Sequence, residues 1–586
     1  MCGIALILSD GEIQEGNPSL EELQSSLLRR GPDRLGLARV LLSTDGEVAV
    51  KTEVREKEKE EGCSLELCLI GAELQLRGVN TICQPLVSPS GNILIFNGEI
   101  FGGIKVPPEK NDAESLLREL ESCCWGNEHK GKSVPDVLSS IRGPWALMYW
   151  QIRSRTVWYG RDAFGRRSLL VREPTSEDKR FIISSVAPPS SKNSFDGTSI
   201  AYTWQEIPCG IYSICLKEGT STKEAVMDEK ISKHEWRDPV LVDLINWERK
   251  HSGPDSILSA TDVPQSSSAQ KVLHVLRESV MRRTIVDTLI QQNGNKEEEG
   301  EAPIAILFSG GLDSMILAAL LDQCLSKRYW IDLLNVSFDG ESAPDRISAK
   351  SGLRELQQIS PNRRWRLVEI DSSLSDLKCE TDHVMSLIHP SRTYMDLNIG
   401  TALWLAAGGD GYVDGETCRL PHSRSRYKYR SKSRVLLIGS GADEQCAGYG
   451  RYRTKFRSGG WPSLEEEMRL DMQRIWKRNM GRDDRCVSDC GKEARFPFLD
   501  EDVIRSLLEL PLWEIANLEA PAGMGDKKIL RQVANLLGLH EAALLPKRAI
   551  QFGTRIARES NKKVFGSNRA ANQASAGSVD IQLNAQ

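Results

Sequence analysis

The chain has 586 residues, a net charge of −5 and 27% charged residues. This length is too great for one ordinary hydrophobic core and predicts two domains with a connection between them. The mildly acidic balance argues for a soluble protein and against a nucleic-acid-binding surface, and no run of about 18 apolar residues is present to cross a membrane.

The first residues lack the basic-then-apolar pattern of a secretory signal, so a cytoplasmic protein is expected. Fourteen cysteines at irregular spacings, with Cys123 next to Cys124, fit reduced thiols better than a disulfide framework or a zinc site. Cys2 follows the start methionine. Removal of Met1 would put a thiol of pKa about 8.5 and an α-amine of pKa about 8 on one residue, a nucleophile with its own base.

Residues 1 to about 215 read as short strands between Gly and Pro turns, among them 3–8, 92–96, 145–150 and 181–185. The charged run from Lys51 to Glu61 reads as a solvated loop. Residues 216–270, including the Ser-rich stretch from Gln265 to Gln270, read as linker. A helical period over 272–289 precedes a polar loop from Gly294 to Gly300. An apolar strand over 304–308 then runs into Ser309-Gly310-Gly311-Leu312-Asp313-Ser314, and an apolar helix over 315–321 follows. Strand and glycine turn recur at 435–438 and Gly439-Ser440-Gly441. Such alternation predicts a parallel sheet with helices on both faces. Residues 559–586, rich in Asn, Ala, Ser and Gln, read as a disordered tail.

A glycine turn at a strand's carboxyl end lets backbone N–H groups approach phosphate oxygens, and the helix N-terminus behind it adds partial positive charge. The Gly-Lys-Ser/Thr ending of a Walker A loop is missing here, so γ-phosphate transfer is not implied. A turn serving only the sheet would need Gly, but not the flanking Ser309, Asp313 and Ser314.

Arg30-Gly31-Pro32-Asp33, Gln84-Pro85, Asn97-Gly98-Glu99-Ile100-Phe101, Asp112 and Arg161-Asp162-Ala163-Phe164-Gly165 follow Cys2 in order. Together they resemble the glutamine amidotransferase domain of asparagine synthetases. Ser309 to Ser314 resembles the pyrophosphate loop of ATP pyrophosphatases. Gly439 to Glu444, Gly448-Tyr449, Glu493 to Asp500 and Lys527 to Arg531 extend that resemblance over most of 271–556. The segments Arg142 to Trp145, Asn479 to Arg485 and Pro546 to Gly553 most resemble the asparagine synthetase domain-containing protein 1 family.

The resemblance implies an α+β N-terminal-nucleophile αββα sandwich over 2–215, then, past the linker, an α/β parallel-sheet ATP-pyrophosphatase domain over 271–558. It implies a Cys2 thiolate attacking glutamine, an oxyanion hole from the Asn97 side chain and Gly98 N–H, and glutamine contacts from Glu99 and Asp112. ATP would be held by Ser309, Gly310, Gly311, Leu312, Asp313, Ser314 and Gly439, with Mg²⁺ near Asp313. The implied partners are glutamine and a carboxylate acceptor, aspartate first, with the acid activated as an acyl-adenylate. Asp443 and Glu444 read either as a Mg²⁺ or substrate-ammonium site or as acids satisfying a helix dipole. Arg495 reads either as holding the acceptor carboxylate or as pairing with a core carboxylate. Lys547 completes the acceptor-site candidates.

Three positions depart from the asparagine synthetases. Glu73 stands where they place an Arg for the glutamine α-carboxylate, and two facing carboxylates repel by several kcal/mol when desolvated. Arg77, four residues on, shares a strand face with it and could substitute. Ser440 replaces a Glu and Ala549 a Lys, with Lys547 and Arg548 close by. Two further readings therefore stand beside asparagine synthesis: a catalytically weak nucleotide-binding scaffold, and an amidotransferase with another carboxylate acceptor.

Overall fold

The computed structural model describes residues 2–10, 16–43, 48–51, 63–123, 131–189, 204–216, 221–226, 230–249, 265–285, 300–419, 425–521, 523–564 and 581. The charged run read as loop over 51–61 lies outside these residues except Lys51, and the polar loop over 294–300 except Gly300.

The N-terminal part is built in four layers. Strand Cys2–Asp10 runs antiparallel between Phe181–Ser184 and Cys63–Glu73 in a seven-stranded sheet. Side chains alternate across a strand. Ile4, Leu6 and Leu8 therefore face Ile93, Ile95, Met148 and Trp150 of a second, six-stranded sheet, while Ala5 and Ile7 face helix Leu20–Arg30 through Leu23 and Leu27. Helices Asp112–Glu121 and Val134–Ser140 cover the second sheet's outer face, with Leu116, Leu120 and Leu138 against Leu94, Phe96 and Leu147.

The C-terminal part carries a seven-stranded sheet. Strands Trp365–Asp371, Ile331–Ser337, Ile304–Leu307, Val435–Leu437 and Glu493–Arg495 are parallel neighbours in that order, and an antiparallel hairpin, Asp410–Asp414 with Arg426–Arg430, closes one edge. The strand order reverses at Ile304–Leu307. Ligands of open α/β sheets bind beyond the strand carboxyl ends at such a switch point. The turns at Ser309 and Gly439 leave from the two strands that meet there.

The linker reading needs correction. Within 216–270, Ile231–His234 is the edge strand of the second N-terminal sheet, and Pro239–Asn246 is a helix. Gln265–Arg282 is one continuous helix whose Val272, Leu276 and Val280 enter the C-terminal core. The edge strand carries no apolar run because its stability comes from its ladder to Gly210–Cys215. The Ser-rich start is carried by the apolar four-residue spacing that follows it. That helix ends at Arg282, and of the expected period, residues 286–289 lie outside the described residues. At the other end, helix Ile556–Val564 runs past Arg558; 565–580 and 582–586 lie outside the described residues.

The two parts meet through apolar packing, with Leu23 and Leu27 in one cluster with Val384, Leu387 and Leu403, and through charges. Arg29 and Arg30, in the last turn of helix Leu20–Arg30, reach Asp489 at 2.5 Å and Asp484 at 2.8 Å. Arg166 joins Asp162 to Glu501 at 2.9 and 2.7 Å, and Arg485 meets Glu206 at 2.9 Å. Much of the Arg30-to-Asp33 and Arg161-to-Gly165 motifs thus builds the interface rather than the nucleophile site; Asp33 itself pairs with Arg434.

Against the upward push of burial, hydrogen bonds from Arg29 and His383 lower the Asp489 carboxyl to about 2. A depressed carboxyl stabilises fully above its unfolded pKa of about 3.9 and loses that contribution as pH falls toward 2. Asp489→Asn should therefore cost roughly 2 kcal/mol near pH 7 and flatten the stability loss between about pH 4 and 2. Chemical denaturation across pH measures both; an unchanged acid limb would remove this pair from the account.

Candidate active sites

Cys2 stands at the rim of the inter-sheet core. Its backbone N–H donates to Asn97 Oδ1 at 3.0 Å, and Gln84 Nε2 donates to its Sγ at 3.2 Å. Gln84 is fixed from behind: its Nε2 also reaches the Phe96 carbonyl, and its Oε1 accepts from Phe96 N–H at 2.6 Å. Asn97 is fully buried, and its Nδ2 has no hydrogen-bond partner among the described residues. A buried donor left free beside a nucleophile is what an oxyanion hole requires. Gly98 lines the same recess; any Cβ there would lie 2.4 Å from the Pro144 carbonyl oxygen. Burial, together with the Glu73 charge, pushes the Cys2 thiol up to about 12.

Asp112 lines the recess as well. Its Oδ1 accepts from Ile100 N–H at 2.8 Å and from Arg77 Nη1 at 2.9 Å, so Arg77 does enter this site. Glu99 also lines it, and its carboxyl is raised to about 7 by burial and by neighbouring Glu493. Arg495 Nη2 approaches Glu99 at 3.3 Å, while its Nε bonds Glu493 at 2.5 Å. Arg495 is therefore the core-pairing arginine of the two alternatives. Its guanidinium meets two glutamates at the interface.

The second site lies at the switch point. Gly310 has φ +69°, and a Cβ there would lie 2.3 Å from the Ser348 carbonyl. Ser309 Oγ accepts from Gly311 N–H, and Ser314 Oγ donates to the Gly311 carbonyl, closing the turn on itself. Gly439 passes against Asp313; a Cβ would sit 3.0 Å from the Asp313 Cβ.

Lys527 joins the two turns. Its Nζ lies 2.6 Å from Asp313 and 2.6 Å from Asp443, held by a backbone at φ +53° that non-glycine residues seldom adopt. Gly448 leaves the lysine its passage, since a Cβ there would come within 2.5 Å of the Lys527 Cε. Lys547 Nζ pairs with the other oxygen of Asp443. Against its burial, the two lysines hold the Asp443 carboxyl far below the usual carboxylate range. Glu444 Oε1 accepts from Tyr449 Oη at 2.6 Å and Asn479 Nδ2 at 2.9 Å. Both acids thus face side-chain donors. Arg548 points elsewhere, toward Ser348 Oγ at 3.4 Å. Ser440 Oγ donates to Asp483 at 3.3 Å, which brings a buried carboxylate beside it.

Among the described residues no group of three or more His, Cys, Asp or Glu is gathered to hold a metal. Mg²⁺ ordinarily takes one or two carboxylates and completes its shell with phosphates and water. Asp313 and Asp443 on either side of a phosphate-type turn fit that partial role. Asp313 Oδ2 meets Lys527, while its Oδ1 has no hydrogen-bond partner among the described residues.

A family model for asparagine synthase matches residues 454–565, and one for a glutamine amidotransferase domain matches 72–189. Human asparagine synthetase domain-containing protein 1 is 34% identical, with 95% of each chain covered. The mouse protein of that name is 35% identical over 96% of this chain and 98% of its own. The chain belongs to the asparagine synthetase domain-containing protein 1 family. A Drosophila melanogaster relative, asparagine synthetase domain-containing protein CG17486, is 30% identical over 87% of this chain and 92% of its own.

Sequence reasoning passed over three site residues: Gln84, Lys527 and Glu493. All three stand inside quoted motifs, but only folding brings Gln84 to the thiol, Lys527 between two aspartates and Glu493 to the interface. For this family member, Gly310→Ala should lose about 2–4 kcal/mol, because it combines a left-handed φ with a backbone collision. Thermal or chemical unfolding measures this, and a variant as stable as the parent would show that the turn relaxes.

Proposed function

We propose that this chain couples a glutamine amidotransferase of the N-terminal-nucleophile type to an ATP-consuming, asparagine-synthase-like ligase. The observation that carries the reading is Cys2 Sγ held by Gln84 beside the free, buried Nδ2 of Asn97. With Met1 removed, the thiol proton passes to the α-amine and Sγ bonds the glutamine side-chain carbonyl carbon. The oxyanion takes hydrogen bonds from Asn97 Nδ2 and Gly98 N–H, ammonia leaves with the returned proton, and water releases glutamate from the thioester. Asp112 receives the substrate ammonium, and Arg77 is the cation available to its carboxylate.

Ammonia is consumed at the second site by a carboxylate acceptor, aspartate first. Bound ATP with Mg²⁺ would supply the adenylyl group that activates this acid. The Ser309-to-Ser314 turn and Gly439 cradle the phosphates, and Lys527 and Lys547 oppose the charge of released pyrophosphate. The free cysteines suit a reducing cytoplasm. Glu73, buried at an amidotransferase recess, favours a second reading in which the chain binds nucleotide as a scaffold and turns over weakly. Ser440 backed by Asp483 favours a reshaped acceptor pocket for another acid.

Pyrophosphate release from labelled ATP separates these readings. Full-length protein lacking Met1 is incubated with Mg²⁺, glutamine and a panel of carboxylates. Release and asparagine formation that require aspartate support the main reading, and release with a different acid supports the altered acceptor. Cys2→Ala should abolish glutamine-dependent product while free ammonia still supports it. Absence of turnover with retained nucleotide binding would leave only the scaffold.

A further inference from the structure

Cys2 and Glu73 are direct cross-strand partners, so their side chains leave the same face of the sheet and line the same recess. Glu73 is only 2% exposed, and its Oε2 accepts no hydrogen bond from any described residue. An unpaired buried carboxylate oxygen costs free energy unless a donor arrives. Arg77 is not that donor, because its Nη1 serves Asp112 and the Ile100 carbonyl. Removal of Met1 creates a new one, since the Cys2 nitrogen gains hydrogens and a positive charge on the residue directly opposite Glu73. Asn97 Oδ1 already takes one of its hydrogens.

We propose that Glu73 is a positioning residue for the nucleophile's α-amine, holding it as an ammonium and aiming it at the Cys2 thiol. This rests on the amidotransferase reading of Cys2 and adds what the carboxylate in its recess does. In the proton step Sγ–H gives its proton to the α-nitrogen, leaving thiolate and ammonium; Glu73 stays ionised and transfers nothing. Because the ammonium is the form Glu73 stabilises, the thiolate–ammonium pair is favoured over the neutral pair. The cost falls on resting protein, whose amine must first lose a proton and does so only at higher pH.

Other charges face this pair. Burial dominates and brings the Glu73 carboxyl to about 7; the chain's α-amine and Arg34, its cross-strand partner on the other side, pull it down, and Asp33 and Glu114 push it up. Glu493 from the C-terminal part adds negative potential at Cys2. Asp112 is neutralised by Arg77, and Glu99 is engaged with Arg495. Burial alone would lower an amine below its usual pKa of about 8, whereas an adjacent carboxylate raises it by one unit or more.

The test reads the amine directly. Full-length protein is labelled with [¹⁵N]cysteine and freed of Met1, verified by intact mass, so the α-amine nitrogen resonates apart from the amide nitrogens. Its ¹⁵N shift is then followed against pH. We expect an amine pKa of about 9 or above, a fall of about one unit or more in Glu73→Gln, and retention of most of the elevation in Glu73→Asp. A value at or below about 8 in the unaltered protein overturns the proposal whether or not the variants fold. An unchanged value in folded Glu73→Gln overturns it equally. Glutamine turnover is recorded separately: its absence with a raised amine pKa sinks the amidotransferase reading and leaves the pairing intact. Where turnover exists, the acidic limb of kcat/KM should move down by the same one unit or more in Glu73→Gln.

Discussion

The architecture depends on a buried chain of alternating charges that crosses the interface between its two parts. Glu99 meets Arg495, Arg495 meets Glu493, Glu493 meets Arg167, Arg167 meets Asp484, and Asp484 meets Arg30, with successive separations of 3.3, 2.5, 3.3, 3.6 and 2.8 Å. Each of these charges would cost several kcal/mol to bury alone, and removing one partner of a buried pair typically costs 3–5 kcal/mol. The arrangement is therefore stable only with all of its members in place. Apolar packing also joins the two parts, and the alternating buried charges add to it a requirement for one register.

That register ties the two sites together. Glu99 lines the Cys2 recess, and Arg495 ends the strand whose carbonyl accepts from Ile438 N–H, one residue before Gly439. A shift of the guanidinium is thus felt within a few bonds of both the nucleophile pocket and the phosphate-type turn. Arg166 repeats the device nearby: it bonds Asp162, the Gly143 and Leu499 carbonyls and Glu501 at once, fully buried between the parts. The interface resembles a polar core more than a sliding surface.

What could be read from the chain alone was local. The turn from Ser309 to Ser314 is legible because its demands, a left-handed glycine and a helix start, are met by adjacent residues. Strand Cys2–Asp10 is legible because it is buried on both faces and so reads as a near-continuous apolar run. Strand Ile231–His234 is illegible for the opposite reason, since it lies at a sheet edge with half-exposed side chains and no apolar signature. Lys527 belongs to a motif visible in the sequence. Its value comes from a strained φ and a gap left by Gly448, neither of which has a local spelling. The pairing of Arg495 could not be read in advance, because an arginine that holds an acceptor carboxylate and one that pairs with a core carboxylate look alike in the sequence, and only the fold brings Glu99 and Glu493 to it.

The three altered positions share a pattern that only the folded chain exposes. Where Glu73 displaces a cation, Arg77 brings a guanidinium to the same recess against Asp112. Where Ser440 lacks a carboxylate, Asp483 presents one to its hydroxyl from another helix. Where Ala549 lacks an amine, Lys547 delivers one to Asp443 from two residues earlier. Electrostatic stabilisation depends on where a charge ends up relative to the reacting atoms, not on which backbone position carries it. Glu73 is the exception, since it introduces a charge as well as losing one. The buried Glu73 carboxyl has Arg34 as its cross-strand partner on one side and Cys2 on the other, so a cation formed on Cys2 would meet an oxygen to which no described residue donates.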